Sequence, residues 1–330
     1  MPTRNDPTPR QAEPQSPADR PLAIITEPLA AAPTAWLGER CRVLALPAEK
    51  DLALLPDLPD AAALVVRTHT RVTPHLLEAM PRLRVVGRAG VGLDNIDLQA
   101  CQAAGVRVVH TPGANTAAVA ELVAAFLLDA YRPRVFLTTP LDAPRWAAAR
   151  DELTAPRGLS SITLGVLGMG RIGQAVARVA HAFGARVIYT DLEDRGQAHG
   201  ERVSLNTLLS TADAITVHAD PRPTNHRLLG EREFARLKPD AVFINTARGF
   251  LVDPFALADF LLANPGAQAI LDVHDPEPFD ATYPLLDLPN AHLAPHLGSC
   301  VQDAKVRMSW VVRDVWRVLT GEPPEHEASP

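Results

Sequence analysis

The stretch Leu164-Gly-Val-Leu-Gly-Met-Gly-Arg-Ile-Gly173 decides which fold the sequence predicts. Its glycines have the spacing Gly168-x-Gly170-x-x-Gly173; they follow an apolar run typical of a strand and open a pattern typical of a helix. In that context Gly168 permits a tight turn, Gly170 lets a pyrophosphate approach the backbone, and Gly173 lets the helix pack close to the strand. The free N–H groups and the positive dipole end of the helix then bind the phosphates.

A carboxylate follows the next candidate strand. Asp191 comes directly after Arg186–Thr190 and lies 18 residues beyond Gly173 (191 − 173 = 18). At about this spacing an acidic side chain accepts hydrogen bonds from the 2′-hydroxyl of adenosine and repels a 2′-phosphate, so Asp191 favours NAD over NADP as the cofactor. The simpler alternative is a glycine-rich turn without a ligand, beside a solvated aspartate.

Short apolar runs alternate with helical patterns along the chain. Most runs are continuous, as in strands whose two faces are both buried in a parallel sheet. The candidate strands are Leu22–Thr26, Ala63–Arg67, Leu83–Arg88, Val106–His110, Thr163–Leu167, Arg186–Thr190, Ala214–His218, Ala241–Asn245 and Gln268–Asp272. The candidate helices are Thr116–Tyr131, Ile172–Phe183 and Pro254–Ala263. The chain is therefore predicted to be α/β, with one group of parallel strands before about residue 112 and another from 163 to 294.

Length and composition exclude several classes of protein. At roughly 150 residues per domain, 330 residues predict about two domains. The net charge of −6 argues against a nucleic-acid-binding surface, and no apolar run reaches the roughly 18 residues of a membrane span. Three cysteines with long gaps favour neither a disulfide framework nor a zinc site, and the lack of a secretory signal favours the cytoplasm. The Pro-rich segment 1–20 and the tail from Gly321 are predicted to be disordered.

Four polar side chains stand at or shortly after the ends of apolar runs in the second half of the chain: Arg248, Asp272, Glu277 and His296. In an open α/β sheet ligands bind outside the carboxyl ends of the strands, so these side chains are predicted to cluster there. Each has an ordinary alternative. His296 after a proline is compatible with a loop histidine, Glu277 between two prolines with a solvated turn, and Arg248 before a glycine with the cap of a strand end.

Six motifs in the same order resemble those of the NAD-dependent D-isomer-specific 2-hydroxyacid dehydrogenases. They are Gly87–Asp97, Asn115–Glu121, the glycine loop at 168–173, Asn245–Gly249, Leu271–Pro278 and Pro295–Ser299. That family includes phosphoglycerate dehydrogenases, glyoxylate/hydroxypyruvate reductases and D-lactate dehydrogenases. The resemblance runs from about residue 22 to residue 319, and it implies two Rossmann-like doubly wound parallel-sheet domains with a cleft between them. Residues 21–112 and 298–330 would form the substrate-binding domain and residues 113–297 the NAD-binding domain.

The resemblance also implies hydride transfer between NAD(H) and a D-2-hydroxy acid or 2-oxo acid, with three catalytic residues. Arg248 would grip the substrate carboxylate and polarise the C2 oxygen, a task that suits its planar fork of N–H donors. His296 would be the general acid in reduction and the general base in oxidation, with Glu277 orienting it and raising its pKa. No metal is expected, because the arginine and the imidazolium supply the electrophile.

On the substrate side, the resemblance implies contacts from the first domain. Backbone N–H groups around Val91 and Gly92 would hold the carboxylate, and Arg67 would lie against the substrate. Phosphoglycerate enzymes of the family tend to carry a second arginine where this chain has His69. That difference weakens the case for a phosphorylated substrate.

On the cofactor side, the resemblance adds five residues to the glycine loop and the acidic residue that follows it. Backbone groups of Arg171 and Ile172 would join the phosphate loop. Thr246 and Ala247 would line the nicotinamide side, and Asp272 would bond the carboxamide. The small-molecule ligands expected for the chain are therefore NAD and a 2-hydroxy or 2-oxo acid.

Two departures from the family pattern and two further hypotheses stay open at this point. Asp220 stands where the family usually has proline, and His274 replaces an aromatic residue beside the catalytic glutamate; either change could alter cofactor affinity or substrate preference. The usual assembly of the family implies a homodimer, formed through residues 116–131 and the following arm 132–158. The alternative to an enzyme is an NAD-sensing corepressor-like binding protein on the same fold. A third hypothesis is a degraded homologue without activity.

Overall fold

The structure is a computed structural model that describes residues 19–46, 55–196 and 199–329. The chain divides into two compact units: unit 1 comprises the described residues up to Pro112 and from Lys305 onward, and unit 2 comprises Gly113–Ala304. Apart from its last two residues, the segment 1–20 that is predicted to be disordered lies outside the described residues. Within the described ranges, no helix is both long and apolar enough to cross a membrane.

The described residues form thirteen strands and eleven α-helices. The strands are β1 (Leu22–Ile25), β2 (Arg42–Ala45), β3 (Ala61–Val66), β4 (Val85–Arg88), β5 (Arg107–Val109), β6 (Thr163–Leu167), β7 (Arg186–Thr190), β8 (Glu201–Arg202), β9 (Ala214–Val217), β10 (Val242–Asn245), β11 (Gln268–Leu271), β12 (Ala291–Leu293) and β13 (Glu327–Ala328). The helices are α1 (Ala31–Gly38), α2 (Pro74–Glu78), α3 (Leu98–Ala103), α4 (Thr116–Tyr131), α5 (Ala143–Glu152), α6 (Arg171–Ala182), α7 (Leu205–Thr211), α8 (Glu231–Phe234), α9 (Pro254–Ala263), α10 (Gln302–Ser309) and α11 (Val312–Thr320). All nine predicted strands and all three predicted helices are present.

Four strands are missing from the sequence prediction: β2, β8, β12 and β13. All four lie at an edge of one of the two sheets. An edge strand is covered less completely than an interior one, and both residues of β8 are exposed, as are both ends of β2. These segments therefore lack the continuous apolar run by which an interior parallel strand is recognised.

In unit 1 the strand order is β13-β5-β4-β3-β1-β2, and all pairs are parallel except β13 with β5. Both faces of this sheet are buried, one of them beneath α11. A Cβ on Gly87 of β4 would lie 2.4 Å from Val315 Cγ2 of that helix, closer than real Cβ atoms come to other atoms. The glycine thus lets α11 pack directly against the strand.

The prediction of a disordered C-terminal tail is wrong for the described part of the segment. The backbone N–H groups of Glu325 and His326 donate to the two carboxylate oxygens of Asp314, at 2.8 and 3.1 Å. Directly after His326, β13 adds to the edge of the sheet at β5. Hydrogen bonds hold this segment, whereas the composition argument considers only how much apolar surface a segment can bury.

In unit 2 the strand order is β8-β7-β6-β9-β10-β11-β12, and all neighbouring strands are parallel. The chain builds one side of the sheet after β6 and then returns to build the other side from β9. Backbone pairing sets Leu167 level with Val217, and Val217 level with Asn245. Asn245 is in turn level with Leu271. The loops that follow these residues all start at the carboxyl ends of the strands, which is where ligands bind in doubly wound sheets.

The second boundary between the units lies between Ala304 and Lys305, inside α10, rather than at the expected position 297/298. The backbone N–H groups of Leu297 and Gly298 donate to the carboxylate of Asp272, at 2.6 and 2.7 Å. These bonds tie the loop after β12 to the end of β11. The chain therefore leaves unit 2 only after that loop.

A buried carboxylate joins three segments of unit 2 at the amino ends of the strands, just before β9. Asp213 accepts hydrogen bonds from the Thr163 N–H (2.7 Å), from Arg157 Nη1 (2.7 Å) and from Lys238 Nζ (2.9 Å). Burial raises the pKa of this carboxyl group, but the three hydrogen bonds and the two cations outweigh it, and the net pKa is lowered. The charged form of Asp213 therefore contributes to the stability of the fold.

We expect Asp213→Asn to lower the free energy of unfolding by about 2 kcal/mol at pH 7, because hydrogen bonds to a buried charge are lost. The folded pKa lies below the unfolded value. The contribution is therefore complete above the ordinary pKa of about 4 and is lost as the pH falls through the folded pKa. Denaturant titrations from pH 7 downward measure the difference. The control is Asp129→Asn, which removes an exposed ion pair with Arg134 and should cost less than about 1 kcal/mol. Equal losses in the two variants would contradict this account.

Candidate functional site

The glycine loop after β6 has the geometry that the sequence predicts. Gly168 has a φ of +94°, and a Cβ there would lie 2.6 Å from the backbone carbonyl of His218. A Cβ on Gly173 would lie 2.1 Å from the carbonyl oxygen of Gly168. Around Gly170, in contrast, a Cβ would meet nothing within 4 Å. Two glycines are thus required by the fold itself, while the third leaves open space over the start of α6.

The start of α6 offers hydrogen-bond donors to an anion. The helix begins at Arg171, and its N-cap Gly170 provides no side-chain hydrogen bond. The N–H groups of Arg171 and Ile172 therefore have no partner within the helix, and the helix dipole adds partial positive charge at this end. Together with the open space over Gly170, this end of the helix fits a pyrophosphate group.

Four buried polar atoms in the described part of unit 2 have no hydrogen-bond partner in the structure: Asn115 Oδ1, Thr116 Oγ1, His218 Nδ1 and Thr246 Oγ1. Buried polar atoms are nearly always paired with protein, water or ligand, so such atoms point to a missing partner. Thr246 directly follows β10, and its place on the nicotinamide side stays a prediction. Asn115 and Thr116 were not singled out from the sequence, although both lie in a quoted motif. The residues present fit a bound dinucleotide.

Asp191 directly follows β7 and holds the glycine loop. Its Oδ2 accepts the Met169 N–H at 2.7 Å, and its Oδ1 accepts the Glu193 N–H at 3.0 Å. A carboxylate has about four lone-pair directions, so two backbone bonds leave capacity for further donors such as ribose hydroxyls. Arg195 Nε lies 3.8 Å from Oδ1 and adds a cation beside the carboxylate.

Arg248 is positioned by a short turn after β10 whose organiser is Asn245. This asparagine is 1% exposed; its Nδ2 donates to the Arg248 carbonyl at 2.9 Å, and its Oδ1 accepts the Ala247 N–H at 3.0 Å. A Cβ on Gly249 would lie 1.9 Å from the carbonyl carbon of His274, so only glycine lets the turn approach the loop after β11. Neither role was assigned from the sequence. The one available signal is a buried asparagine at the end of an apolar strand.

Glu277 and His296 form a hydrogen-bonded pair, as the sequence predicts. Glu277 Oε2 lies 2.8 Å from His296 Nδ1, and Oε1 accepts the His274 N–H at 2.6 Å. His296 has a φ of +55°, an unusual backbone conformation for a residue with a side chain. Because Nδ1 is bound to Glu277, Nε2 is the nitrogen left for proton exchange.

The electrostatics of the pair favour a charged form. The hydrogen bond that His296 donates to Glu277 raises the pKa of His296, against the opposing effects of burial and of the positive charge of Arg248. Burial raises the pKa of Glu277, but the hydrogen bonds from His296 and from the His274 N–H outweigh it, and that pKa is lowered. The pair thus stabilises an imidazolium beside a carboxylate, and Arg248 is near enough to act on the same ring.

Asp272 and His274 support the loop that carries His296. Asp272 is 1% exposed; burial raises its pKa, and each of its oxygens accepts one of the N–H groups of Leu297 and Gly298. The buried ring of His274 lies with its Nε2 2.9 Å from the carbonyl oxygen of Ala294, two residues before His296. The side chain of His274 therefore helps to hold the loop that carries His296. The expected contact of Asp272 with the cofactor carboxamide stays a prediction.

The three predicted substrate contacts belong to unit 1. Arg67 follows β3, and its Nη1 donates to the Pro28 carbonyl at 3.1 Å. Val91 and Gly92 follow β4, and the Val91 carbonyl lies 3.1 Å from His110 Nδ1. Within unit 2 the structure pairs Glu277 with His296, and the positive charge of Arg248 opposes the rise in the pKa of that imidazole. Contact of the unit 1 residues with a substrate stays a prediction.

Comparison with known proteins gives one consistent result. Residues 124–298 match the family model described as "D-isomer specific 2-hydroxyacid dehydrogenase, NAD binding domain". The chain is 38% identical over 309 residues to "D-3-phosphoglycerate dehydrogenase" of Mycobacterium leprae (strain TN), a match that covers 92% of this chain and 58% of that protein. It is 35% identical over 265 residues to "Hydroxypyruvate reductase" of Thermotoga maritima, covering 79% of this chain and 85% of that protein.

A solved structure agrees with these relatives. The D-lactate dehydrogenase of Aquifex aeolicus, complexed with NAD and lactic acid, superimposes with a TM-score of 0.76 at 26% identity, covering 91% of this chain and 96% of that one. The chain spans only 58% of the length of the Mycobacterium leprae relative.

We expect Glu277→Gln to lower the pKa of His296, because an amide keeps a hydrogen-bonding oxygen but removes the negative charge that stabilises the imidazolium. NMR titration of the labelled histidine rings measures this pKa directly. The matched control is Glu78→Gln, the same change at an exposed glutamate in unit 1. A His296 titration that is the same in wild type and both variants would refute the assigned coupling.

Proposed function

The chain belongs to the D-isomer-specific 2-hydroxyacid dehydrogenase family, and on that premise we propose that it transfers a hydride between NAD(H) and a D-2-hydroxy acid or the corresponding 2-oxo acid. The observation that carries the proposal is the hydrogen bond of 2.8 Å between Glu277 and His296. The positive charge of Arg248 acts on the same imidazole. An arginine beside an imidazole with one nitrogen left for proton exchange suits an α-oxo acid.

Each residue of this group has a distinct task in the proposed reaction. In reduction, Arg248 binds the carboxylate and the C2 oxygen through its N–H groups, and His296 donates the proton on Nε2 to that oxygen. In oxidation His296 takes the proton back. Glu277 holds the ring through Nδ1 and stabilises its charged form. Bound NAD(H) supplies or accepts the hydride.

The proposed cofactor site lies at the carboxyl ends of the strands in unit 2. The N–H groups at the start of α6, Arg171 among them, would hold the pyrophosphate, and Asp191 the adenosine ribose. Thr246, with its buried unpaired hydroxyl, and Asp272 would face the nicotinamide end. Because Asp191 carries a negative charge where NADP has a 2′-phosphate, we propose a preference for NAD.

Several finer points belong to the same proposal. The relatives bear the names D-3-phosphoglycerate dehydrogenase, hydroxypyruvate reductase and glyoxylate reductase, which makes small 2-oxo acids the substrates to test. We propose that Arg67, Val91 and Gly92 of unit 1 take part in substrate binding. We also propose a homodimer and a cytoplasmic location. The alternative of a corepressor-like NAD sensor is not favoured, because the named relatives are enzymes.

The deciding experiment follows NADH oxidation with glyoxylate, hydroxypyruvate and 3-phosphohydroxypyruvate. We expect His296→Ala to lower kcat/KM by about 10²- to 10⁴-fold, the usual contribution of a positioned acid. The control is His292→Ala, at an exposed histidine of β12. Since reduction needs protonated His296, its rate should fall as the pH rises through the pKa of His296, and Glu277→Gln should move that fall to lower pH. Binding of NADH without turnover of any 2-oxo acid would refute the enzyme and favour the sensor.

Asp191→Ser tests the cofactor preference. We expect the KM for NADH to rise about tenfold, because hydrogen bonds from the ribose hydroxyls are lost. The KM for NADPH should fall or stay unchanged, because a repulsive charge is removed. Glu193→Ser, at an exposed neighbour, is the control. A variant that discriminates between the two cofactors as strongly as wild type would show that Asp191 does not set the preference.

A further inference from the structure

A buried glutamate in unit 1 has a role that the proposed reaction does not use. Glu27 stands two residues after β1 and is only 8% exposed. Its carboxylate accepts four hydrogen bonds from consecutive backbone N–H groups: those of Arg67 (3.0 Å), Thr68 (2.8 Å), His69 (3.0 Å) and Thr70 (3.2 Å). These four residues form the loop that follows β3, named here the 67–70 loop.

Consecutive N–H groups that converge on one point form a concavity that binds anions. In many proteins the bound anion is a phosphate or another ligand, whereas in this chain it is the protein's own carboxylate. Burial raises the pKa of Glu27, but the four N–H donors outweigh it, and the net pKa is lowered. A charged carboxylate therefore fills the concavity, and charge-assisted hydrogen bonds hold it there.

The 67–70 loop is held from its carbonyl side as well. Asn95 Nδ2 donates to the carbonyl oxygens of Arg67 (3.1 Å) and Thr70 (2.7 Å), the two ends of the loop. Thr70 Oγ1 also donates to Thr26 Oγ1 at 2.7 Å. All four N–H groups of the loop and the carbonyl oxygens at its two ends are thus engaged, while the side chains at 68 and 69 remain exposed.

We propose that Glu27 is a positioning residue for substrate recognition, whose carboxylate fills the anion-binding concavity of the 67–70 loop and so sets the side chains of Arg67 and His69. The inference rests on the proposed function, in which Arg67 contacts the substrate. Because Glu27 occupies all four N–H groups, the loop can offer an anionic substrate only its side chains. Substrate affinity should therefore depend on a carboxylate that does not itself touch the substrate.

Steady-state kinetics with the best 2-oxo acid test this role. We expect Glu27→Gln to raise the KM for the 2-oxo acid about tenfold, because a neutral amide cannot accept from four N–H groups as a carboxylate does. The change in kcat should stay within about threefold, since the chemical step uses Arg248 and His296. Glu27→Asp, which keeps the charge on a shorter side chain, should restore part of the loss. Glu78→Gln, at an exposed carboxylate of the same unit, is the matched control.

Hydrogen exchange of the loop amides gives a readout that does not need turnover. The amides of residues 67–70 should exchange faster in Glu27→Gln and Glu27→Ala than in wild type, and added formate should restore protection in Glu27→Ala by entering the emptied concavity. The positioning role would be overturned if the loop amides of Glu27→Gln exchanged faster while the KM for the 2-oxo acid stayed unchanged. It would also be overturned if Glu27→Gln and Glu27→Asp lost kcat and thermal stability to the same extent as each other. A wild type that binds NADH but reduces no 2-oxo acid would instead overturn the proposed function, and the inference with it.

Discussion

Backbone hydrogen bonding between parallel strands in unit 2 sets a single row of residues level across the sheet. Leu167, Val217, Asn245, Leu271 and Leu293 are paired in succession, from β6 through β9, β10 and β11 to β12. The strands run in one direction, so every loop that leaves this row starts at the carboxyl ends of the strands. The glycine loop, the Arg248 turn, the Glu277 segment and the His296 loop all depend on that alignment.

Beyond the row, buried side chains rather than regular secondary structure hold the loops. Asn245 braces the turn of Arg248, Asp272 accepts the two N–H groups that follow His296, and Glu277 divides its oxygens between a backbone N–H and the imidazole. Unit 1 uses the same device at Glu27. A buried carboxylate or amide is costly unless it is fully paired, so each of these side chains makes one loop conformation strongly favoured over others. That rigidity is what an acid–base site requires.

Prediction from the sequence succeeded where one local pattern carried the information. Interior strands such as β6 and β7 have the predicted bounds, because burial on both faces demands a continuous apolar run. The separate roles of the three glycines in the loop were predicted because their spacing itself reflects three needs: a tight turn, space for a pyrophosphate to approach the backbone, and close packing of the helix on the strand. The edge strands, the ordered C-terminal segment and the domain boundary inside α10 were missed. The edge strands lack a continuous apolar run because they are more exposed. In the other two cases hydrogen bonds to a distant segment decide the structure, and composition carries no sign of them.

The sequence by itself determined the α/β class, the order of the interior strands along the chain, the dinucleotide loop, and the identity of the charged groups at the strand ends. These follow from residue type and short-range spacing. Only the tertiary structure decided that Asp272 anchors the His296 loop, that Gly249 lies against the backbone of His274, and that Glu27 fills the concavity of the 67–70 loop. Each of these contacts joins segments some 25 to 40 residues apart along the chain. Their geometry is set by how strands and helices pack, which no local pattern encodes.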